Sequence, residues 1–345
     1  MLIWSIVLSL ISVVSGLSAT SDHAEILRSR LHQSLKSLSG KLTLSPEIDI
    51  VEPTDPTALL LQTPAVRKLS DQLRTTAKAN AVWLSGTVSE IKTFCEEQEE
   101  SRGNFPGPLP IIYSGCDQTK WEELASSGVC AVMISCDIAS LDDLMSTELK
   151  KQSEKALALG LQPIPEIILE ASTASTWADE TSMGNLVSDI TAIIGEEPAC
   201  LVLTIKENNN AKEEGETAIP QVPKTLSKKV PILGSISVMA GGNRIGAATK
   251  RWKEAGYTGG ILRKACLPSP FVQDLDLVGR FWSSCIEDLK STKSKSFQFL
   301  TRNWMDKSMP LEWAKYQKSV IESGALGDPE DNASINSANG DYMGF

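Results

Sequence analysis

The catalytic chemistry open to this chain is limited by its two histidines, His23 and His32, which both precede the first predicted strand. We therefore expect no imidazole in the folded body, which excludes a Ser-His-Asp triad and a histidine-ligated zinc site. The seven cysteines are irregularly spaced and form no CxxC pair, so we interpret them as buried side chains in a reducing compartment. The groups available for acid–base catalysis are therefore carboxylates and lysines. We expect neither a metal nor a cofactor.

A glycine-rich segment at residues 239–246 could bind an anion, because it contains Gly241, Gly242 and Arg244 and precedes a predicted helix. Glycines let backbone N–H groups approach an anion, and a helix N-terminus favours negative charge. Arg263 and Lys264 add positive charge at the end of the next predicted strand. We predict phosphate binding by Gly241, Gly242, Arg244 and Arg263, and the alternative interpretation is a flexible loop. The formal net charge of −10 argues against a nucleic-acid partner.

Eight short β-rich runs alternate with helical stretches along the body of the chain. The runs lie at residues 47–51, 81–85, 110–114, 129–135, 164–169, 200–205, 231–235 and 260–264. They are continuously apolar, which is typical of parallel strands covered on both faces. Several helical stretches end at a glycine, as at Gly128 and Gly256. The pattern predicts an α/β fold, a (β/α)8 TIM barrel over residues 45–290, with a doubly wound sheet as the runner-up.

Four stretches, in this order and spacing, resemble indole-3-glycerol-phosphate synthase from about Ser45 to Leu289. They are residues 77–85 (AKANAVWLS), 110–135, 159–167 (LGLQPIPEI) and 252–262, in which WKEAG leads into GIL. The resemblance implies a carbon–carbon lyase of tryptophan biosynthesis acting on a phosphorylated small molecule. Its reaction closes a ring with loss of carboxylate and water, and it uses two lysines and several glutamates.

The resemblance places Glu166 at the family's strand-five glutamate, where a carboxylate at the barrel mouth can transfer protons. The alternative is a solvated residue at a strand end. Asp49 could replace the strand-one glutamate, and Lys206 or Lys264 could supply the cation that the reaction needs.

The other catalytic positions of the family are substituted. Ser114 stands where the strand-three lysine is expected, Val51 lies near the strand-one lysine position, and the strand-seven Glu-Ser-Gly corresponds roughly to residues 235–237 (SIS). Loss of one general acid lowers a rate by about 10²–10⁴. The main hypothesis is therefore an enzyme or a former enzyme (a pseudoenzyme): a phosphate-binding barrel for a phosphorylated sugar or indole precursor, with most catalytic positions of the family substituted. The alternative is a non-catalytic barrel that acts as a scaffold or regulatory partner.

The N-terminus is interpreted as targeting sequence. A 13-residue apolar run at residues 2–14, followed by mostly small residues, predicts a signal-like segment over residues 1–19. Residues 20–44 are interpreted either as a transit peptide or as a leading helix that caps the barrel floor. Together the two segments predict a plastid location, with the secretory pathway as the alternative.

Beyond the barrel, we predict a helical extension over residues 291–322 and a disordered tail over residues 323–345. The extension carries apolar side chains that could contact a protein partner: Trp304, Met309, Leu311 and Trp313. The alternative is that these side chains pack against the surface of the barrel itself.

Overall fold

The computed structural model describes residues 29–36, 42–51, 56–137, 143–170, 180–195, 197–206, 219–237, 244–268 and 274–290. The signal-like segment 1–19, the extension 291–322 and the tail 323–345 lie outside the described residues. Of the 20–44 segment, residues 29–36 and 42–44 are described.

Eight parallel strands pair in chain order and close into a barrel. The strands are β1 Thr43–Ile50, β2 Val82–Gly86, β3 Ile111–Tyr113, β4 Ala131–Asp137, β5 Gln162–Glu170, β6 Leu201–Lys206, β7 Ile232–Ile236 and β8 Gly259–Leu262. Closure occurs between β1 and β8, where Thr43 pairs with Gly259. The predicted (β/α)8 barrel is confirmed, and the doubly wound alternative is wrong because no strand of this sheet is an open edge.

All helices but the first follow a strand and cover the outside of the barrel. They are α1 at residues 29–35, α2 Pro56–Thr75, α3 Val88–Glu100, α4 Trp121–Ser127, α5 Asp143–Ala158, α6 Glu180–Ile194, α7 Lys224–Lys229, α8 Arg244–Glu254 and α9 Leu275–Lys290. Helix α4 ends at Gly128, whose φ of 106° is a left-handed conformation that side-chain-bearing residues rarely adopt. None of the described helices is both long and apolar enough to span a membrane.

Successive strand residues alternate between two separate apolar regions. Outward-facing residues such as Ile48, Leu84 and Ile167 join the layer between strands and helices. Inward-facing residues such as Trp83, Ile164 and Val202 fill the barrel interior. Burial on both faces explains why the strands read as continuous apolar runs instead of alternating ones.

Helix α1 closes the floor of the barrel, the end where the strands begin. Leu31 and Leu35 are fully buried and belong to the same apolar cluster as the interior residues. Polar contacts anchor the helix: Thr43 Oγ1 donates to the Leu35 carbonyl at 3.1 Å, and Asn80 Nδ2 donates to the Ser34 carbonyl at 3.1 Å. A leading helix that caps the floor is therefore what residues 29–35 form.

The expectation that the folded body contains no imidazole is wrong, because His32 lies half-buried on α1. The error came from starting the body at the first strand, whereas the floor helix precedes that strand. Since α1 is at the opposite end of the barrel from the strand C-termini, His32 adds no base to the mouth.

We expect Leu35→Ala to lower the free energy of unfolding by about 2–5 kcal/mol, because it opens a cavity beneath the interior cluster. Urea denaturation measures the change. The matched control is Gln33→Ala on the exposed face of the same helix, which we expect to alter stability by no more than about 0.5 kcal/mol. Equal effects of the two substitutions would show that α1 does not seal the floor.

Candidate functional site

At the C-terminal ends of the strands, every strand contributes a polar side chain to the barrel interior. We call this set the mouth layer. Its members are Glu47 and Asp49 from β1, Ser85 from β2, Ser114 after β3, Ser135 from β4, Glu166 from β5, Thr204 and Lys206 from β6, Ser235 from β7 and Arg263 after β8. The layer beneath it is largely apolar. Barrel enzymes place their sites at this end, so the mouth layer is the candidate site.

Arg263 occupies the centre of the mouth layer, with only 8% of its surface exposed. Its guanidinium has five N–H groups, and the structure supplies an acceptor for each. The acceptors are Ser235 Oγ at 2.7 Å, Glu47 Oε1 at 3.2 Å, Met133 Sδ at 3.8 Å, Thr204 Oγ1 at 3.1 Å and Glu166 Oε1. Arg263 therefore faces inward as a structural cation, and its donors are already committed.

Glu166 is 5% exposed, and both of its carboxylate oxygens accept hydrogen bonds. Oε1 accepts hydrogen bonds from Arg263 and from Thr204 Oγ1, the latter at 2.6 Å. Oε2 accepts one from Ser135 Oγ at 2.6 Å. Together these contacts fix the orientation of the Glu166 carboxylate.

Glu47 is the second buried carboxylate of the centre, and the sequence analysis did not single it out. Its Oε1 accepts from Arg263, and its Oε2 accepts from the backbone N–H of Lys264 at 3.3 Å. The strand alternation could have identified Glu47, because it lies two residues before Asp49 and therefore shares the same face of the strand.

Two lysine–aspartate pairs lie outside this buried centre. Lys264 Nζ is 3.2 Å from Asp49 Oδ2, and Ser85 Oγ donates to Asp49 Oδ1 at 3.0 Å. Lys206 Nζ is 2.8 Å from Asp137 Oδ2. The Lys264 and Lys206 side chains are 55% and 54% exposed, so both amines can reach solvent. The hydrogen bond to Asp137, together with its charge, raises the pKa of Lys206, so this amine is a cation at neutral pH.

The predicted catalytic residues all reach the mouth, but they do not converge as expected. Among the described residues, neither Lys206 nor Lys264 forms an ion pair with Glu166, whose cationic partner is Arg263. Glu166 belongs to the mouth layer but is not the last residue of its strand, because it is the fifth of nine residues in β5. Lys264 lies not in strand eight but at the start of a 3-10 turn, Lys264–Cys266.

The predicted phosphate-binding residues are described only in part. Gly241 and Gly242 lie outside the described residues, and Arg244 begins α8 with its side chain outside them. Arg263 is described and points into the buried centre, which differs from the accessible cation that the sequence analysis expected. It does so because Glu47 and Glu166, far apart in sequence, meet there and require a countercharge.

All seven cysteines are described, none of them forms a disulfide, and six of them are buried. Burial raises the pKa of the Cys95 and Cys130 thiols to about 12, which makes these thiols poor nucleophiles. Within the described part of the chain, no group of three or more His, Cys, Asp or Glu side chains is arranged to hold a metal ion.

No protein-family model and no curated protein sequence matches the chain. Among solved structures, a mutant tryptophan synthase alpha-subunit from Pyrococcus furiosus is 13% identical, with a TM-score of 0.40, over 72% of this chain and 97% of that one. Tryptophan synthase from M. tuberculosis is 10% identical, with a TM-score of 0.40, over 71% and 92% of the two chains. Triosephosphate isomerase from Bartonella henselae is 9% identical, with a TM-score of 0.39, over 71% and 98%. Likenesses this distant carry no argument about function.

We expect Arg263→Ala to lower the free energy of unfolding by about 3–5 kcal/mol, because it leaves Glu47 and Glu166 buried without a countercharge. Chemical denaturation measures the loss. The neighbouring Lys264→Ala is the control, since its exposed pair with Asp49 contributes no more than about 1 kcal/mol. An Arg263→Ala protein as stable as the control would refute the structural role of the guanidinium.

Proposed function

We propose that this chain is a barrel of the indole-3-glycerol-phosphate synthase type that binds a phosphorylated small molecule in its mouth without performing the synthase reaction. The observation that carries the proposal is the mouth layer, in which all eight strands present polar side chains above an apolar interior. A core built only for stability has no need of such a layer, because buried polar groups require partners.

The phosphate end of the ligand is assigned to Lys264 and the glycine-rich segment 239–246. Barrels often bind phosphate with the loops after strands seven and eight, and Lys264 directly follows the arginine at the end of β8. Its amine is exposed and, among the described residues, it forms an ion pair with Asp49. A phosphate can therefore approach this amine without disrupting the buried centre.

The loss of synthase chemistry is supported by the contacts of Glu166 and by Ser114. Glu166 is bonded to Arg263, Thr204 and Ser135, so its carboxylate is oriented by the buried centre and not towards a catalytic lysine. A serine cannot act as the cationic acid that the resemblance requires at residue 114. Both features argue that the fold was kept while the site changed.

The charges of the mouth set the strength of binding. Among the described residues, five carboxylates (Glu47, Asp49, Asp137, Glu166 and Glu170) face three cations (Arg263, Lys206 and Lys264). A phosphate must therefore compete with Asp49 for Lys264, so the affinity depends on both members of this pair.

Inorganic phosphate should raise the melting temperature of the full chain by several degrees relative to chloride at equal ionic strength. A ligand at a hundredfold excess over its Kd stabilises the folded state by about 2.7 kcal/mol. Lys264→Ala should shrink the shift, and Asp49→Asn should enlarge it by freeing the amine. Lys250→Ala is the matched control, because this exposed lysine pairs with Glu254 on α8. Identical shifts in all four proteins would exclude a site at Lys264.

We expect the chain to fail to support growth of a tryptophan-requiring strain that lacks indole-3-glycerol-phosphate synthase. The reason is that Ser114 stands where the reaction needs a lysine, and that the carboxylate of Glu166 is bonded to residues of the buried centre. Immunoblotting for soluble chain controls for expression, and an active synthase expressed from the same vector controls for the strain. Growth comparable to that of the active enzyme would overturn the loss of activity.

A scaffold or regulatory barrel is the second candidate, favoured by the fully bonded centre around Arg263. It would use Trp304, Trp313 and the C-terminal tail, which lie outside the described residues, to contact a protein partner in a plastid. Absence of any phosphate effect would favour this candidate.

A further inference from the structure

Phe105 is the most exposed large apolar side chain in the described part of the chain, with 100% of its surface open. It lies in the connection between α3 and β3, residues 101–110, which we call the floor loop. This loop lies at the same end of the barrel as α1, because Arg30 of α1 donates to the Pro108 carbonyl at 2.6 Å. Burial of a phenyl ring is favourable, so the floor loop offers an apolar contact at the end of the barrel opposite the mouth.

The backbone of the floor loop is anchored on both sides of Phe105. Before it, the Asn104 N–H donates to the Ser101 carbonyl at 3.0 Å. After it, Arg74 Nη1 donates to the Pro106 carbonyl at 3.1 Å, and Arg74 is itself 7% exposed. These hydrogen bonds hold the phenyl ring in solvent and not against the barrel.

The described barrel ends close to the floor loop. Helix α9 ends at Lys290, whose Nζ donates to the Lys78 carbonyl just after α2 at 2.6 Å. Helix α2 packs against both α9 and α3, so the end of α3 lies two helix spacings from the end of α9, or about 16–20 Å. An extended chain covers about 3.3–3.6 Å per residue, so roughly six residues bridge this gap.

The residues just beyond α9 combine positive charge with apolar side chains. Residues 293–300 read KSKSFQFL, and we call them the exit segment. They contain two lysines, three large apolar residues and no acidic residue. Lys293, Lys295, Phe297 and Phe299 occur at every second position, so an extended conformation would place all four on one face.

Helix α3 ends in an acidic stretch directly before the floor loop. Residues 96–100 read EEQEE, and the side chains of Glu99 and Glu100 are each 63% exposed. Three of the four glutamates form ion pairs with arginines, so four carboxylates face three guanidinium groups. An exposed carboxylate can accept from a second cation, because its two oxygens offer several acceptor sites. The end of α3 is therefore complementary in charge to the lysines of the exit segment.

We propose that the exit segment docks on the floor loop of its own chain, with its phenyl rings against Phe105 and its lysines beside the glutamates that end α3. The length of chain after Lys290 and the match of charge and apolar side chains single out this occupant. The inference goes beyond the proposed function, because it concerns the floor of the barrel and does not depend on a ligand in the mouth.

Limited trypsin digestion of the full chain tests the docking, since cleavage after Lys293 follows the population of the released segment. Phe105→Ala should accelerate this cleavage at least about tenfold, the change expected when one buried phenyl contact is lost. The pair Phe297→Ser and Phe299→Ser should have the same effect from the other side of the contact. Leu61→Ala is the matched control, because it removes a 70% exposed apolar side chain near the mouth end of α2 and should leave the rate unchanged.

Carbodiimide cross-linking, which joins an amine to a carboxylate without a spacer, identifies the two partners. Mass spectrometry of the digested product should show Lys293 or Lys295 joined to a glutamate of residues 96–100. The cross-linked product should have the mass of one chain, and Phe105→Ala should reduce its yield.

Two results would overturn the proposal. Equal cleavage of the native protein, Phe105→Ala and Leu61→Ala would show that the exit segment does not contact Phe105. Cross-links found only in a product with the mass of two chains would show that the floor loop receives the segment of a second copy.

Discussion

The mouth layer of this barrel depends on one buried guanidinium, that of Arg263. Arg263 leaves the end of β8 and bonds residues of five other strands: β1, β4, β5, β6 and β7. The planar fork of arginine suits this task, because its five donors have fixed directions and it stays charged when buried. One cation cannot neutralise both Glu47 and Glu166, so hydroxyls from Ser135 and Thr204 complete the shell of Glu166.

That ion-pair network divides the barrel into two regions with different roles. Below it, apolar side chains pack down to the floor, where Leu31 and Leu35 of α1 close the interior. Above it, Lys206 and Lys264 reach solvent with their aspartates. The charged groups of the buried centre are paired with one another, whereas the exposed amines are in contact with solvent.

The same division separates what the barrel architecture requires from what its chemistry requires. The strand pairing depends on backbone hydrogen bonds and apolar packing, neither of which requires a lysine at position 114 or a free carboxylate at position 166. Function resides in the side chains at the strand ends. At those ends this chain has hydroxyls and an inward arginine.

The barrel itself could be predicted from the sequence, because eight apolar runs separated by helical stretches are a local, periodic signal. All eight predicted runs overlap observed strands, and a helix such as α4 ends at Gly128 as its glycine indicated. The alternation rule also brings Asp49, Glu166 and Lys206 to one end of the interior once the strands are known.

The partners of those residues could not be predicted, because partners lie far apart along the chain: Lys264 and Asp49 are separated by 215 positions, and Arg263 and Glu47 by 216. No local pattern tells whether Arg263 faces a ligand or meets Glu47 and Glu166. That choice is made when the strands close into a ring and two carboxylates arrive in a space with little water. The cost of burying unpaired charge then turns the arginine inward. The sequence also did not decide whether residues 20–44 are a transit peptide or a leading helix, since an amphipathic stretch fits both. Only the closed barrel has the apolar floor against which α1 packs.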